Sequence, residues 1–138
     1  MLIEPKPENF CFGCGGGNPH GLRLTFEGDD AAKRIRGRFQ VGADFQGGPG
    51  YLHGGIIATL LDEVMTKLSR FDGLHAVTAE LNVEYLKPVP VDAQLLLESY
   101  EVRTEGRNHH RVGEIRDSSG MLLARGKGRF VNVDRKRP

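Results

Sequence analysis

The sequence predicts an α+β domain in which a strongly curved antiparallel sheet wraps around one central helix. Three observations lead there. Six segments alternate apolar and polar residues with the period of a β-strand. One segment, Gly54 to Ser69, switches to helical spacing and is apolar nearly all round its first half. The order is two strands, the helix, then a four-strand meander, so a single sheet must cover a single buried helix.

Each element follows in chain order. Residues 1–20 read as an irregular lead-in, with Pro5, Pro7, Pro19 and the run Gly15 to Gly17. Residues 21–133 form a single domain, and 134–138 a polar tail. Gly21 to Glu27 alternates as a strand, Gly28-Asp29-Asp30 turns the chain, and Lys33 to Val41 alternates again. Ile35, Gly37, Phe39 and Val41 share one side, with Arg34, Arg36, Arg38 and Gln40 on the other. A Gly-rich loop, Gly42 to Leu52, leads to the helix. There Ile57, Leu61, Val64 and Leu68 make a stripe widened by Ile56, Leu60 and Met65. Ala76 to Tyr85 puts Val77, Ala79, Leu81, Val83 and Tyr85 on one face and Thr78, Glu80, Asn82 and Glu84 on the other. Lys87-Pro88-Val89-Pro90 breaks that strand. Gln94 to Thr104, Asn108 to Asp117 and Met121 to Val133 complete the meander.

Composition excludes several function classes. The 138 residues suit one domain, which buries roughly 68% of its unfolded surface. With 19 Lys and Arg against 18 Asp and Glu, the net charge is +1, which argues against a dedicated nucleic-acid binder. Two cysteines cannot build a disulfide framework. Met1 to Phe10 has no basic region followed by an apolar one, so it does not read as a signal peptide. The longest apolar stretch, Gly54 to Leu61, falls far short of the roughly 20 residues that span a bilayer. The reading is a cytoplasmic protein without a membrane partner.

The chemistry concentrates in Tyr51-Leu52-His53-Gly54-Gly55-Ile56-Ile57-Ala58-Thr59-Leu60-Leu61-Asp62. A helix N-terminus carries free N–H groups and partial positive charge. Gly54 and Gly55 leave that backbone uncovered, so an oxygen developing negative charge can sit against it. His53 can add a ring N–H. Asp62 interrupts the apolar helix and needs a polar cleft, a partner or solvent; Thr59 and Thr66 lie on its face. Nine residues of helix separate His53 from Asp62, about 13 Å at 1.5 Å per residue, so one helix cannot join them. Two such helices lying antiparallel in a symmetric dimer would.

This segment resembles the hotdog-fold thioesterases, in the branch of PaaI-like and acyl-CoA thioesterases. The family pattern is His-Gly-Gly with an acidic residue nine positions after the His, matched here by His53 and Asp62. The branch tends to carry Ser or Thr on the strand after the helix. Thr78 holds that position in Val77-Thr78-Ala79-Glu80-Leu81-Asn82-Val83-Glu84-Tyr85-Leu86-Lys87-Pro88. Cys11-Phe12-Gly13-Cys14-Gly15 and Asn18-Pro19-His20-Gly21-Leu22 are similar to its lead-in, and the likeness runs from Cys11 to about Val133. Several relatives carry Asn or Gln six residues before the His, where this chain has Gly47.

The resemblance implies a hotdog domain over 21–133 that hydrolyses an acyl-CoA thioester to a carboxylate and free CoA. A thiolate leaves readily, so the work is to activate water or attack directly, and to stabilise the oxyanion. Asp62 would be base or nucleophile, Thr78 would hold the water or Asp62, and Gly54 and Gly55 would form the oxyanion hole with His53. No metal or redox cofactor is implied. The assembly would be a homodimer, with pairing into a homotetramer as an option. The alternative on the same fold is a non-catalytic acyl-CoA-binding module. Lys87, Arg103 and Arg107 are candidates to hold the CoA phosphates. Cys11 and Cys14 have the spacing of half a zinc site. With only His20 nearby as a further ligand, they read as structural.

Overall fold

A computed structural model describes residues 1–133. The strands are β1 (Leu2–Ile3), β2 (Phe26–Asp29), β3 (Arg34–Gln40), β4 (Ala76–Tyr85), β5 (Gln94–Glu105), β6 (Asn108–Asp117) and β7 (Leu122–Asn132). The helix α1 is Gly54–Thr66. All seven strands join one antiparallel sheet in the order β1-β2-β3-β5-β6-β7-β4, which leaves β4 on a free edge. The sheet curves around α1, as the alternation and the single helix predict. No helix among the described residues is long and apolar enough to cross a membrane. The polar tail, 134–138, lies outside the described residues.

Three local expectations shift. The lead-in is not wholly irregular, because Leu2 and Ile3 pair with Glu27 and Phe26. The first alternating strand is four residues long, beginning at Phe26 rather than Gly21 and running through Asp29, so the turn expected at Gly28-Asp29-Asp30 falls after Asp29. The alternation there is real, since Leu24 and Phe26 are buried. However, Arg23 takes a positive φ of 51°, and the N–H groups of Leu22 and Leu24 are used by Phe12 O and Gly13 O of the lead-in. The helical stripe also divides. α1 ends at Thr66, and a 3-10 segment, Lys67–Asp72, carries Leu68 onward to Gly73, whose φ of 63° suits a residue without Cβ.

The core lies between α1 and the sheet. Leu60, Leu61, Val64 and Met65 are fully buried against Ile35, Leu97, Ile115, Ala124 and Phe130. The helix sits close because glycines lie beneath it. A Cβ at Gly113 would stand 3.1 Å from Met65 Cγ and 3.2 Å from Val64 Cγ1. One at Gly126 would stand 3.2 Å from Met65 Cε and 3.3 Å from Leu61 Cβ. These two glycines pair across β6 and β7, so they make one flat seat. Polar groups then fix the far end of the helix. Ser99 Oγ donates to Val64 O at 2.5 Å. Buried Arg111 donates to Met65 O (2.9 Å), Ser69 Oγ (2.9 Å) and Glu101 Oε1 (3.1 Å), with its guanidinium over the Phe130 ring. Its charge is therefore paired and its donors occupied, as burial demands.

Candidate active site

His53 is the N-cap of α1, with extended backbone, and its Nδ1 accepts the Gly55 N–H at 2.9 Å. An imidazole nitrogen that accepts holds no proton, so the neutral ring carries its proton on Nε2. The carbonyl of the same Gly54–Gly55 peptide accepts the Tyr85 Oη–H at 2.8 Å. The two glycine N–H groups therefore differ: Gly55 N–H is held by the cap, and Gly54 N–H remains the open donor among the described residues. The preceding loop folds back on the histidine, with His53 N–H donating to Phe45 O at 2.9 Å. At Gly47, six residues before His53, a Cβ would stand 3.1 Å from His53 Cα. A side chain there would press on the cap.

Asp62 lies at the other end of the helix, half-buried. Thr78 Oγ1 donates to its Oδ1 at 2.6 Å. Burial pushes the Asp62 carboxyl above the ordinary aspartate range. The Thr78 hydrogen bond pulls it back, the Glu63 charge adds to the rise, and Lys67 opposes it. The two helix threonines take no part in holding the carboxylate: Thr66 Oγ1 donates to Asp62 O and Thr59 Oγ1 to Gly55 O, each one turn back. A half-buried carboxylate with one fixed donor can take a proton from water or attack an acyl carbon.

Strand β4 holds both ends of this arrangement. Thr78 meets α1 at Asp62 and Tyr85 meets it at Gly54, so helix and strand run antiparallel. Thr78 and Tyr85 are seven residues apart, which places them on opposite faces of a regular strand. The sequence reading assigned them so. A β-bulge between Thr78 and Glu80 adds Ala79 as an extra residue, and both side chains then turn toward the helix. Within one chain His53 and Asp62 stay at opposite ends of β4 and do not meet.

Glu63, next to Asp62, faces the lead-in. Its Oε2 is 3.2 Å from Lys67 Nζ, and its Oε1 accepts from Cys11 Sγ at 3.7 Å. Both Glu63 and Lys67 side chains are nearly buried. Cys11, Cys14 and Glu63 offer ligand atoms within 4.8 Å of one another, the donor set a thiophilic metal could use. His20 lies outside that group. Burial, then the Glu63 charge, pushes the Cys14 thiol up to about 11, so it stays protonated. Lys67 neutralises Glu63, and the group as it stands clasps the lead-in to α1. Gly13 allows that approach, since a Cβ there would fall 2.5 Å from the Glu63 carboxyl. Lys67 and Tyr85 are the neighbours that sequence reading did not place at the site.

The three basic candidates are not gathered in one chain. Lys87 is exposed just beyond Tyr85 at one end of β4. Arg103 pairs with Glu105 at 2.6 Å, and Arg107 Nε donates to Asn132 O at 3.0 Å, both toward the Thr78 end.

Comparisons with known proteins identify the family. The family model "Thioesterase superfamily" matches residues 49–124, from the end of the loop through α1 and β4 to the start of β7. Acyl-coenzyme A thioesterase THEM4 of Rattus norvegicus is 33% identical over 109 residues, 78% of this chain and 47% of that protein. The chain thus spans about half the length of the curated relatives it matches. Among solved structures, the thioesterase superfamily protein RHA08564 superposes with a TM-score of 0.82 at 30% identity, covering 88% of this chain and 60% of that one. The PaaI protein of E. coli, from the phenylacetic acid degradation operon, has the same fold, with a TM-score of 0.69 at 19% identity over 74% of each chain. With more than half of its length matched by the family model, and with the curved sheet and single helix of these structures, the chain belongs to the thioesterase superfamily.

Proposed function

We propose that the chain is an acyl-CoA thioesterase that converts acyl-CoA and water to a carboxylate and free CoA, acting as a homodimer. The observation that carries this reading is the 2.6 Å contact from Thr78 Oγ1 to the half-buried Asp62 carboxylate. In its ionised form Asp62 activates water or attacks the thioester carbon, while Thr78 fixes its orientation. Gly54 N–H and His53 Nε2–H provide donors for the oxyanion that forms as the C–S bond weakens. The relatives named acyl-coenzyme A thioesterases support CoA esters as the substrate class. Lys87, Arg103 and Arg107 are the cations proposed to meet its phosphates.

Two features favour the dimer. Asp62 and the helix N-terminus each offer half of the chemistry and lie at opposite ends of β4. That strand is a long free edge on which Val77, Leu81 and Tyr85 are 47%, 37% and 54% exposed, a surface natural sheets normally cover. Antiparallel pairing of β4 with its own copy reverses the ends, so Asp62 and Thr78 of one protomer approach His53 and Gly54 of the other.

Thiol release across an acyl-CoA panel tests the reading. Asp62→Asn keeps size and polarity but removes the charge. It should lower kcat by about 10²–10⁴-fold with far less change in affinity. A folded Asp62→Asn protein within a few-fold of wild-type kcat excludes this mechanism, and negligible wild-type turnover with tight binding favours the acyl-CoA-binding module.

A further inference from the structure

The geometry points to Tyr85 as a positioning residue that fixes the tautomer and aim of His53 through the Gly54–Gly55 peptide, an inference that rests on the thioesterase reading above. Tyr85 closes β4 and the two glycines open α1, so the contact joins elements far apart in sequence. Tyr85 Oη donates to Gly54 O at 2.8 Å, and Gly55 N, in the same peptide unit, donates to His53 Nδ1 at 2.9 Å. One planar amide therefore connects the phenol to the imidazole.

That connection has a direction. A donor on the carbonyl oxygen draws electron density through the conjugated amide and makes its N–H a stronger donor. The strengthened N–H needs a lone pair, and Nδ1 supplies it only while the ring proton sits on Nε2. The opposite tautomer would set two hydrogens against each other, and a flipped ring would present a carbon to the N–H. The chain from Tyr85 to Nδ1 thus keeps Nε2 a donor. An oxyanion requires that state, because a bare Nε2 would present a lone pair to a negatively charged oxygen.

The sequence makes room for the contact at both ends. A Cβ at Gly54 would stand 3.5 Å from Tyr85 Oη, so the bare glycine lets the phenol lie over the helix start. The Ala79 bulge turns Tyr85 to the helix side without moving Thr78 away from Asp62. Thr59, one turn into α1, is committed to Gly55 O and does not reach this peptide's carbonyl.

The test is Tyr85→Phe, made in the wild type and in His53→Ala, with kcat, KM, thermal melts and the imidazole nitrogen shifts of His53 measured by NMR. Loss of one neutral hydrogen bond should lower kcat about 3- to 10-fold while KM changes by less than about 2-fold. The melt should hold, and the His53 signals should move from the pure Nε2–H form toward a mixture of tautomers. In His53→Ala the same substitution should cost nothing further, because the two residues act in series. An equal loss in both backgrounds, unchanged kcat, or unchanged His53 signals would each overturn the assignment. If the wild type proves inactive on every acyl-CoA, the thioesterase reading fails, and the NMR comparison alone decides whether Tyr85 sets the tautomer.

Discussion

Replacing Thr78 by Val removes one hydroxyl and almost nothing else. Valine keeps the branched shape and the strand preference, so β4 and its bulge should persist. What goes is the 2.6 Å donor on Asp62 Oδ1. Hydrogen bonds to charged groups contribute about 1.5–3 kcal/mol, and the low end sets the smallest effect to expect. At about 1.5 kcal/mol, kcat should fall roughly tenfold wherever Asp62 is ionised. A second effect follows from the direction of the same bond. It lowers the pKa of a carboxyl that burial has raised, so its loss lets that pKa rise further. On the proposed mechanism activity needs the ionised form, which is lost as pH falls through the pKa. The acid limb of the kcat profile should therefore move to higher pH in Thr78→Val, and the deficit should widen on that limb. Thiol-release kinetics across pH, with a thermal melt as control, measures both. Unchanged kcat and an unmoved acid limb in a protein with a wild-type melt would refute the argument and leave Thr78 as a strand residue alone.

Glu63→Gln shifts the profile the other way. Removing that charge, and freeing the Lys67 charge it neutralised, lowers the Asp62 pKa, so the acid limb should move to lower pH in the same assay. It also leaves a nearly buried lysine without its anion, which should cost about 3 kcal/mol in denaturant unfolding. Gly55→Ala places a methyl 3.2 Å from His53 Nδ1. Loss of the cap costs about 1 kcal/mol and alanine's helix preference returns about as much. The melt should therefore hold while kcat falls on the order of tenfold. Leu81→Lys puts a charge on the exposed apolar edge of β4 and should raise the dimer dissociation constant on the order of tenfold in sedimentation, with activity following the dimer fraction. An active monomer at assay concentration would sink the β4 pairing.

Much of this fold was legible because its signals are periodic. Ile57, Leu61, Val64 and Met65 could only be one face of a helix, and four of the strands, β4 to β7, begin and end within about one residue of their alternation. What failed was decided by contacts across the chain. The alternation of Leu22, Leu24 and Phe26 reports burial correctly, yet the backbone there is satisfied by the lead-in rather than by a neighbouring strand. Burial and ladder pairing are separate facts, and periodicity encodes only the first. At the site, His53 and Asp62 stand out as polar residues bounding an apolar helix. Tyr85 and Glu63 carry no such contrast, since a tyrosine on a strand and a second acid on a helix are ordinary. The bulge is least visible of all. Two inward side chains at odd separation were its one trace, and a strict period of two reads that as opposite faces.

The glycine seat beneath α1 limits how this architecture can diverge. A methyl added at Gly113 or Gly126 would lift the helix by a few tenths of an ångström at Leu61 and Met65. Asp62 rides directly beside Leu61 and is tethered to a different strand, so any such lift would be felt as a change in reach between carboxylate and hydroxyl. The helix is in effect a component mounted without clearance. Sequence change in descendants of this chain should then accumulate in the loop from Gly42 to Leu52, in the lead-in and along the β4 edge, while the seat keeps its two bare Cα positions.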